Sequence, residues 1–263
     1  MTRRRSPALP ALTVASLAAV VAGITWLSGS PFDSHAETGE TSSPVQQLST
    51  QADDSAIDEL LGAGLADTEH DVTTINADAT LQLLATIPAA DQAQSALPYS
   101  RDAYGQRWAD VDRNGCDTRN DILRRDLVDV GLKPGTNDCV VLTGTLHDAY
   151  TGQDITFQRG QGTSELVQID HLWSLSGSWH AGADLWTADK REQFANDPAN
   201  LEAVDGPSNS AKGDSGPSQW LPANADYLCT YAARLTFVAS KYQLPLFAED
   251  RLAITHILER CDG

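Results

Sequence analysis

Asp170 and His171 stand side by side, and Asn200, Asn209 and Lys212 follow in the next stretch of chain. An aspartate oxygen is a hard ligand suited to Mg²⁺ or Mn²⁺. An imidazole takes a proton from water near neutral pH. Lys212 lies one helical turn beyond Asn209 and would reach a phosphate held beside the aspartate. The chemistry implied is hydrolysis by an activated water beside a divalent cation. A lone Asp-His pair is most often a surface dipeptide or a cap, so the weight rests on the combination. Asn209 follows Gly206-Pro207-Ser208 and would serve equally as a helix N-cap. His180, beside Ala181-Gly182, reads as a cation at a helix C-terminus.

These residues need elements to position them. The short apolar run Leu166–Ile169 suits a buried strand that ends in Asp170 and His171, whose side chains would point to opposite faces, one to a metal and one to substrate. After the Asn196-Asp197-Pro198 turn, Asn200–Val204 reads as a second strand. Asp205–Ser208 is the break before a short helix carrying Asn209 and Lys212. Upstream, Asp117 would cap a helix over Thr118–Val130, packed on a strand at Val140-Val141-Leu142. A β-hairpin runs from Cys139–Thr145 through His147–Gly152 to Asp154–Phe157, with His147 structural. Downstream, Asn224–Tyr242 (Leu228, Tyr231, Leu235, Val238) and Glu249–Arg260 (Leu252, Ile254, Ile257, Leu258) have the spacing of amphipathic helices. The expected fold class is α+β: a strand–strand–helix centre wrapped by helices, with an additional hairpin.

The segment from Val167 to Pro222 resembles the HNH endonuclease superfamily, and within it secreted proteins related to the C-terminal domain of modification-dependent restriction enzymes. The matching residues are Asp170-His171, the FANDPANL block Phe194–Leu201, and N-x-x-K-G-D at Asn209–Asp214 with Trp220-Leu221-Pro222. The likeness extends upstream to Tyr99–Asp121 and downstream to the Cys229–Cys261 tail. It implies a ββα-metal centre in which His171 is the general base, Asp170 and Asn209 bind one divalent cation, Mg²⁺ or Mn²⁺, and Asn200 holds the loop and orients His171. Many relatives carry histidine at the position of Asn209, and the asparagine favours an oxygen-preferring cation over zinc. Relatives also carry proline where this chain has Ala149, which implies a looser turn here. The Asn114–Asp121 block is shared as well, which makes Arg119 a phosphate-binding candidate.

Composition sets the surroundings. The 263 residues leave room for one globular domain of moderate size. Arg3, Arg4 and Arg5 precede an apolar run from Ala11 to Leu27, the pattern of a secretory signal or a membrane anchor within residues 1–30, in contact with the secretion machinery or the membrane. Ser34-His35-Ala36 suits cleavage. Residues 31–78 read as an acidic, low-complexity linker, and 79–263 as the endonuclease domain. The net charge of −18 is uneven: no Lys or Arg lies between Ser6 and Ser100, whereas twelve acidic residues do. The remainder is still acidic, which excludes strong binding to duplex by counterion release and calls for a local basic strip. Arg101, Arg107, Arg113, Arg119, Arg124 and Arg125 form the densest basic stretch.

Asp110, Asp112, Asn114 and Asp121 match a calcium loop at its first, third, fifth and twelfth positions, although Asp121 replaces the bidentate Glu and Asp117 stands where an apolar anchor is usual. The other reading is a polar turn capping the helix after Asp117. The four cysteines lack C-x-x-C spacing, so zinc is disfavoured and two disulfides are expected. Of three pairings, Cys116–Cys139 and Cys229–Cys261 each close a local unit. The composite expectation is a secreted or surface-attached monomeric endonuclease acting on nucleic acid, DNA first. The competing expectations are a catalytically silent extracellular binding module and a calcium-stabilised surface protein.

Overall fold

The computed structural model describes residues 54–70, 72–90 and 97–261. The signal or anchor segment, its cleavage site and the first part of the linker lie outside the described residues. The remainder is a mixed α+β structure with two disulfides.

Two short strands and a helix form the centre. β6 (Val167–His171) pairs antiparallel with β7 (Leu201–Asp205), in a register that sets Asp170 opposite Glu202 and His171 opposite Leu201. α6 (Gly206–Lys212) follows β7 without a linker. Its N-cap is Asp205, whose side chain accepts from the Ser208 amide, so Asn209 lies inside the helix and is not its cap. Gly206 is required where the helix begins: a Cβ there would lie 2.0 Å from the Glu165 carbonyl oxygen.

Two hydrophobic cores flank the ribbon. On one side, Ile169, Leu201 and Ala203 pack with α3 (Thr118–Asp126) and a three-stranded antiparallel sheet of β3 (Leu127–Leu132), β4 (Val141–His147) and β5 (Asp154–Gln158). The helix expected to run to Val130 thus stops at Asp126. Asp126 uses its carboxylate on the Ala203 amide of β7, and Leu127, the β-branched Val128, Gly131 and Leu132 then pair with β4, with an irregularity between Val128 and Gly131. The hairpin turn is tight despite Ala149, because Asp148 accepts from the Thr151 amide within the turn and from the Asp205 amide across it.

On the other side, Val204 joins the larger core of α4 (Leu175–His180), α7 (Leu228–Tyr242) and α8 (Ala248–Leu258). Tyr231, Leu235, Val238, Ile254, Ile257 and Leu258 are buried as their spacing predicts. Leu252, expected in that stripe, is exposed. The Cys229–Cys261 bond ties the start of α7 to the end of α8, and Cys116–Cys139 closes the chain around α3 and β3.

The linker expectation fails over residues 54–78. That stretch forms α1 (Asp54–Gly62), a hairpin of β1 (Ala66–Glu69) and β2 (Val72–Ile75), and the start of α2 (Ala77–Thr86). Leu60, Leu65 and Ala66 bury against Ala233 of α7, enough apolar surface to order an otherwise acidic segment.

Like charges directly opposite in a strand pair repel, yet Asp170 and Glu202 are both buried. Each has its own cation. Lys212 Nζ, 1% exposed, lies 2.9 Å from Asp170 Oδ2, and Arg234 Nη1 lies 2.9 Å from Glu202 Oε1. Tyr150 and Tyr227 donate their hydroxyls to the same two carboxylates. Removing Lys212 leaves a buried charge without its partner. Lys212→Met is therefore expected to cost about 3–5 kcal/mol in urea unfolding, with Asp170→Asn/Lys212→Met regaining much of it. A loss below about 1 kcal/mol would show that the pair does not hold the ribbon together.

Candidate active site

Asp170, His171 and Asn209 line one cavity of about 460 Å³, together with Tyr99, Arg101, Ser174 and Asp214. β6 supplies the first two residues and α6 the third, which is the consequence of packing α6 directly after β7. The alternation expected to send Asp170 and His171 to opposite sides does not separate them, because at the strand end both reach this cavity.

Asp170 is oriented from below. Its Oδ2 accepts from Tyr150 Oη at 2.6 Å and pairs with Lys212, while Oδ1 takes no hydrogen bond from the described residues. Asn209 donates its Nδ2 to Gln168 Oε1 at 2.9 Å, which fixes the amide with its oxygen as the remaining acceptor. Two hard oxygen donors, one charged and one neutral, thus border the same space. They suit Mg²⁺ or Mn²⁺, with the rest of the shell from water and phosphate. Among the described residues no group of three or more His, Cys, Asp or Glu side chains could hold a metal, so a cysteine- or histidine-rich zinc cage is not built here.

His171 is clamped on two sides. Its Nε2 lies 2.9 Å from the Ala195 carbonyl oxygen, so Nε2 carries the proton and donates, and Nδ1 holds the lone pair. The Trp108 ring stacks on the imidazole, with centroids 6.4 Å apart and planes 14° from parallel. Burial lowers the His171 pKa to about 4; the Ala195 bond and Asp170 act in the opposite direction, while the charges of Arg101 and Lys212 add to the lowering. The ring is a neutral base throughout the physiological range.

Asn200 does not border the cavity. It accepts from the Trp173 amide, donates to the Trp173 carbonyl and receives the Leu172 amide on its own carbonyl, and so fixes the loop leaving His171. Asn196 similarly bonds the Ala109 amide and the Gln106 carbonyl, which places Trp108 over His171. Asp197 binds Lys241 and Tyr242 of α7. The FANDPANL block is a set of three polar anchors that hold the walls of the site.

Two expectations change. Lys212 faces inward to Asp170 and donates to the His171 carbonyl, so it is committed to the ribbon and not to a phosphate. Arg119 is half-buried near Arg159 and Asp117 and is not among the residues that line the cavity. Asp110, Asp112 and Asp121 converge on Asn114, accepting from its amide or its Nδ2, as a polar turn does, and Asp117 caps α3. Arg124 and Arg125 bond backbone carbonyls. Arg101, from the same basic stretch, does reach the cavity. Tyr150 and Trp108 also serve the site. The pattern of neither carried a signal of it, since both act through space from other elements.

The sequence model of a family described as GmrSD restriction endonucleases, C-terminal domain, matches residues 117–256. The chain belongs to that family. The match begins at the cap of α3 and takes in every element from there to α8, so all the polar anchors of the GmrSD C-terminal fold described above lie within it, whereas Arg101 and Trp108 precede it. A protein of Arthroderma benhamiae (strain ATCC MYA-4681 / CBS 112371), named an uncharacterized secreted protein, is 34% identical over 204 residues, covering 72% of this chain and 95% of the relative. No solved structure matches the chain. Among the described residues no helix is long and apolar enough to cross a membrane.

The lowered pKa of His171 has a consequence for stability. Between pH 6.5 and 4 the unfolded chain binds a proton at this residue and the folded protein does not, so stability falls as pH falls through that window. In EDTA, the native protein should lose on the order of 1 kcal/mol more than His171→Ala between pH 7.5 and 4.5. Parallel stability curves for the two would show that the ring is not desolvated.

Proposed function

We propose that this GmrSD C-terminal family member is a secreted, metal-dependent endonuclease of the HNH type, with β6, β7 and α6 as its ββα-metal centre. The observation that carries the reading is that Asp170, His171 and Asn209 line one cavity, and that Asp170 Oδ2, His171 Nε2 and Asn209 Nδ2 are already engaged, which leaves Oδ1, Nδ1 and the amide oxygen as the acceptors to spare. Secretion is supported by the two disulfides, by the secreted relative and by the apolar run after Arg3–Arg5.

Asp170 and Asn209 would hold one Mg²⁺ or Mn²⁺, which when bound supplies positive charge against that developing on the phosphate oxygens. His171 Nδ1 accepts a proton from water, and the resulting hydroxide attacks phosphorus as the P–O3′ bond breaks. The departing 3′-oxygen takes its proton from solvent. The bond from Nε2–H to Ala195 keeps the lone pair on Nδ1 through the step, and Trp108 keeps water from the ring face. Asn200 acts through the loop as a positioning residue. Tyr150 and Lys212 hold Asp170 so that one oxygen is left for the cation. The domain so defined includes residues 54–78 as well as 79–263.

The test is cleavage of plasmid, single-stranded DNA and RNA by the oxidised protein with Mg²⁺, Mn²⁺ or EDTA. Cutting should require the cation. His171→Ala should reduce it by about 10³-fold or more while retaining metal affinity, and Asp170→Ala should lose both. Absence of cutting of all three substrates by folded, disulfide-bonded protein would favour the silent binding module instead.

A further inference from the structure

Arg101 is set apart by one buried donor. Like most arginines among the described residues it forms no ion pair, although acidic residues outnumber basic ones 36 to 18. Its Nη1 is shielded from solvent and has no hydrogen-bond partner in the protein. A buried guanidinium donor left unmade is unfavourable, and native structures satisfy nearly all such groups. The backbone that carries it is rigid. Arg101 opens a single 3-10 turn (Arg101–Tyr104) whose Tyr104 hydroxyl donates to the Leu175 carbonyl, and whose Ala103 carbonyl accepts from Arg191 Nε. Tyr99, two residues earlier, packs edge-on against Trp179 at 6.3 Å. The side chain borders the cavity of Asp170, His171 and Asn209. Arg107 reinforces the positive field there, whereas Asp102 beside Arg101 and Asp214 in the cavity lining are the carboxylates nearby.

We infer that Arg101 is the anion clamp of this cavity, its guanidinium binding the non-bridging oxygens of a nucleic acid phosphodiester. The inference rests on the nuclease reading for the identity of the ligand. Its geometry stands independently: a rigidly mounted, unpaired fork of N–H donors suits two oxygens on one phosphorus better than a single carboxylate oxygen or a neutral group. Arg101 also supplies what an acidic domain lacks overall, one local cation at the reacting phosphate. It takes the role expected of Arg119 and Lys212, which the fold places elsewhere.

The experiment compares the native protein with Arg101→Ala and Arg101→Lys. In metal-free buffer, inorganic phosphate should raise the melting temperature of the native protein and leave that of Arg101→Ala unchanged. Without phosphate, Arg101→Ala should melt no lower than the native protein, since Nη1 has no partner to lose. With Mg²⁺ or Mn²⁺, kcat/KM on DNA should fall about 10²-fold in Arg101→Ala and at least tenfold in Arg101→Lys. Added guanidinium ion should restore part of the loss in Arg101→Ala and none in His171→Ala. Cleavage by Arg101→Ala within threefold of native would overturn the clamp and leave the nuclease reading intact; Arg101→Lys applies the same criterion should the alanine variant fail to fold. Phosphate protection that depends on Arg101, in a native protein that cuts nothing, would uphold the anion site and sink the nuclease. No cutting and no phosphate effect would remove both.

Discussion

Everything at the site depends on a repulsion that has been neutralised. Antiparallel register puts the carboxylates of Asp170 and Glu202 directly across from one another on a two-stranded ribbon, both buried. Lys212 and Arg234 approach from helices that follow later in the chain, and Tyr150 and Tyr227 complete the carboxylates' hydrogen bonds. The ribbon can form only when α6 and α7 are in place, so the geometry of the site is coupled to the packing of both cores. Such a buried pair is an expensive way to gain stability, since apolar residues of similar volume would serve as well. What it yields here is a carboxylate at a cavity wall with one oxygen engaged and the other without a hydrogen bond from the described residues.

The second constraint is on His171. A histidine that acts as a base must keep its lone pair in the right place and remain neutral. The Ala195 carbonyl fixes the proton on Nε2, and burial beneath Trp108 disfavours the imidazolium. The position of Trp108 depends on Asn196 and the course of the chain after His171 on Asn200, each of which bonds backbone groups on a neighbouring loop. In the proposed mechanism these asparagines never meet the substrate, yet the alignment of Nδ1 is their product.

Much of this was legible in the residues. A short apolar run ending in Asp170-His171, a turn at Asn196–Pro198 and a Gly-Pro break after Asp205 specify strand, strand and helix with little ambiguity, because each carries its own start or stop signal. The pairing of the cysteines followed from local closure. Lys212 was harder. A helix turns about 100° per residue, so placing its start at Asn209 instead of Gly206 rotates the face on which Lys212 lies, and an inward cation reads as an outward one. The helix ending at Asp126 was overextended because the signal for β3 lies in its pairing with β4, not in its own composition. Arg101, Trp108 and Tyr150 reach the site from elements far away in the chain, and no local pattern encodes that approach. Residues 54–78 looked too acidic to fold because their few apolar side chains gain their value only against α7.

The proposed mechanism requires the oxygens of Asp170 and Asn209, beside His171, to form the cation site. The most direct measurement is anomalous scattering from crystals of the disulfide-bonded protein equilibrated with Mn²⁺. A single strong peak is expected between Asp170 Oδ1 and the Asn209 amide oxygen, lost in Asp170→Ala. Manganese bound instead among Asp110, Asp112 and Asp121, or absent from the cavity at concentrations that support cleavage, would contradict it.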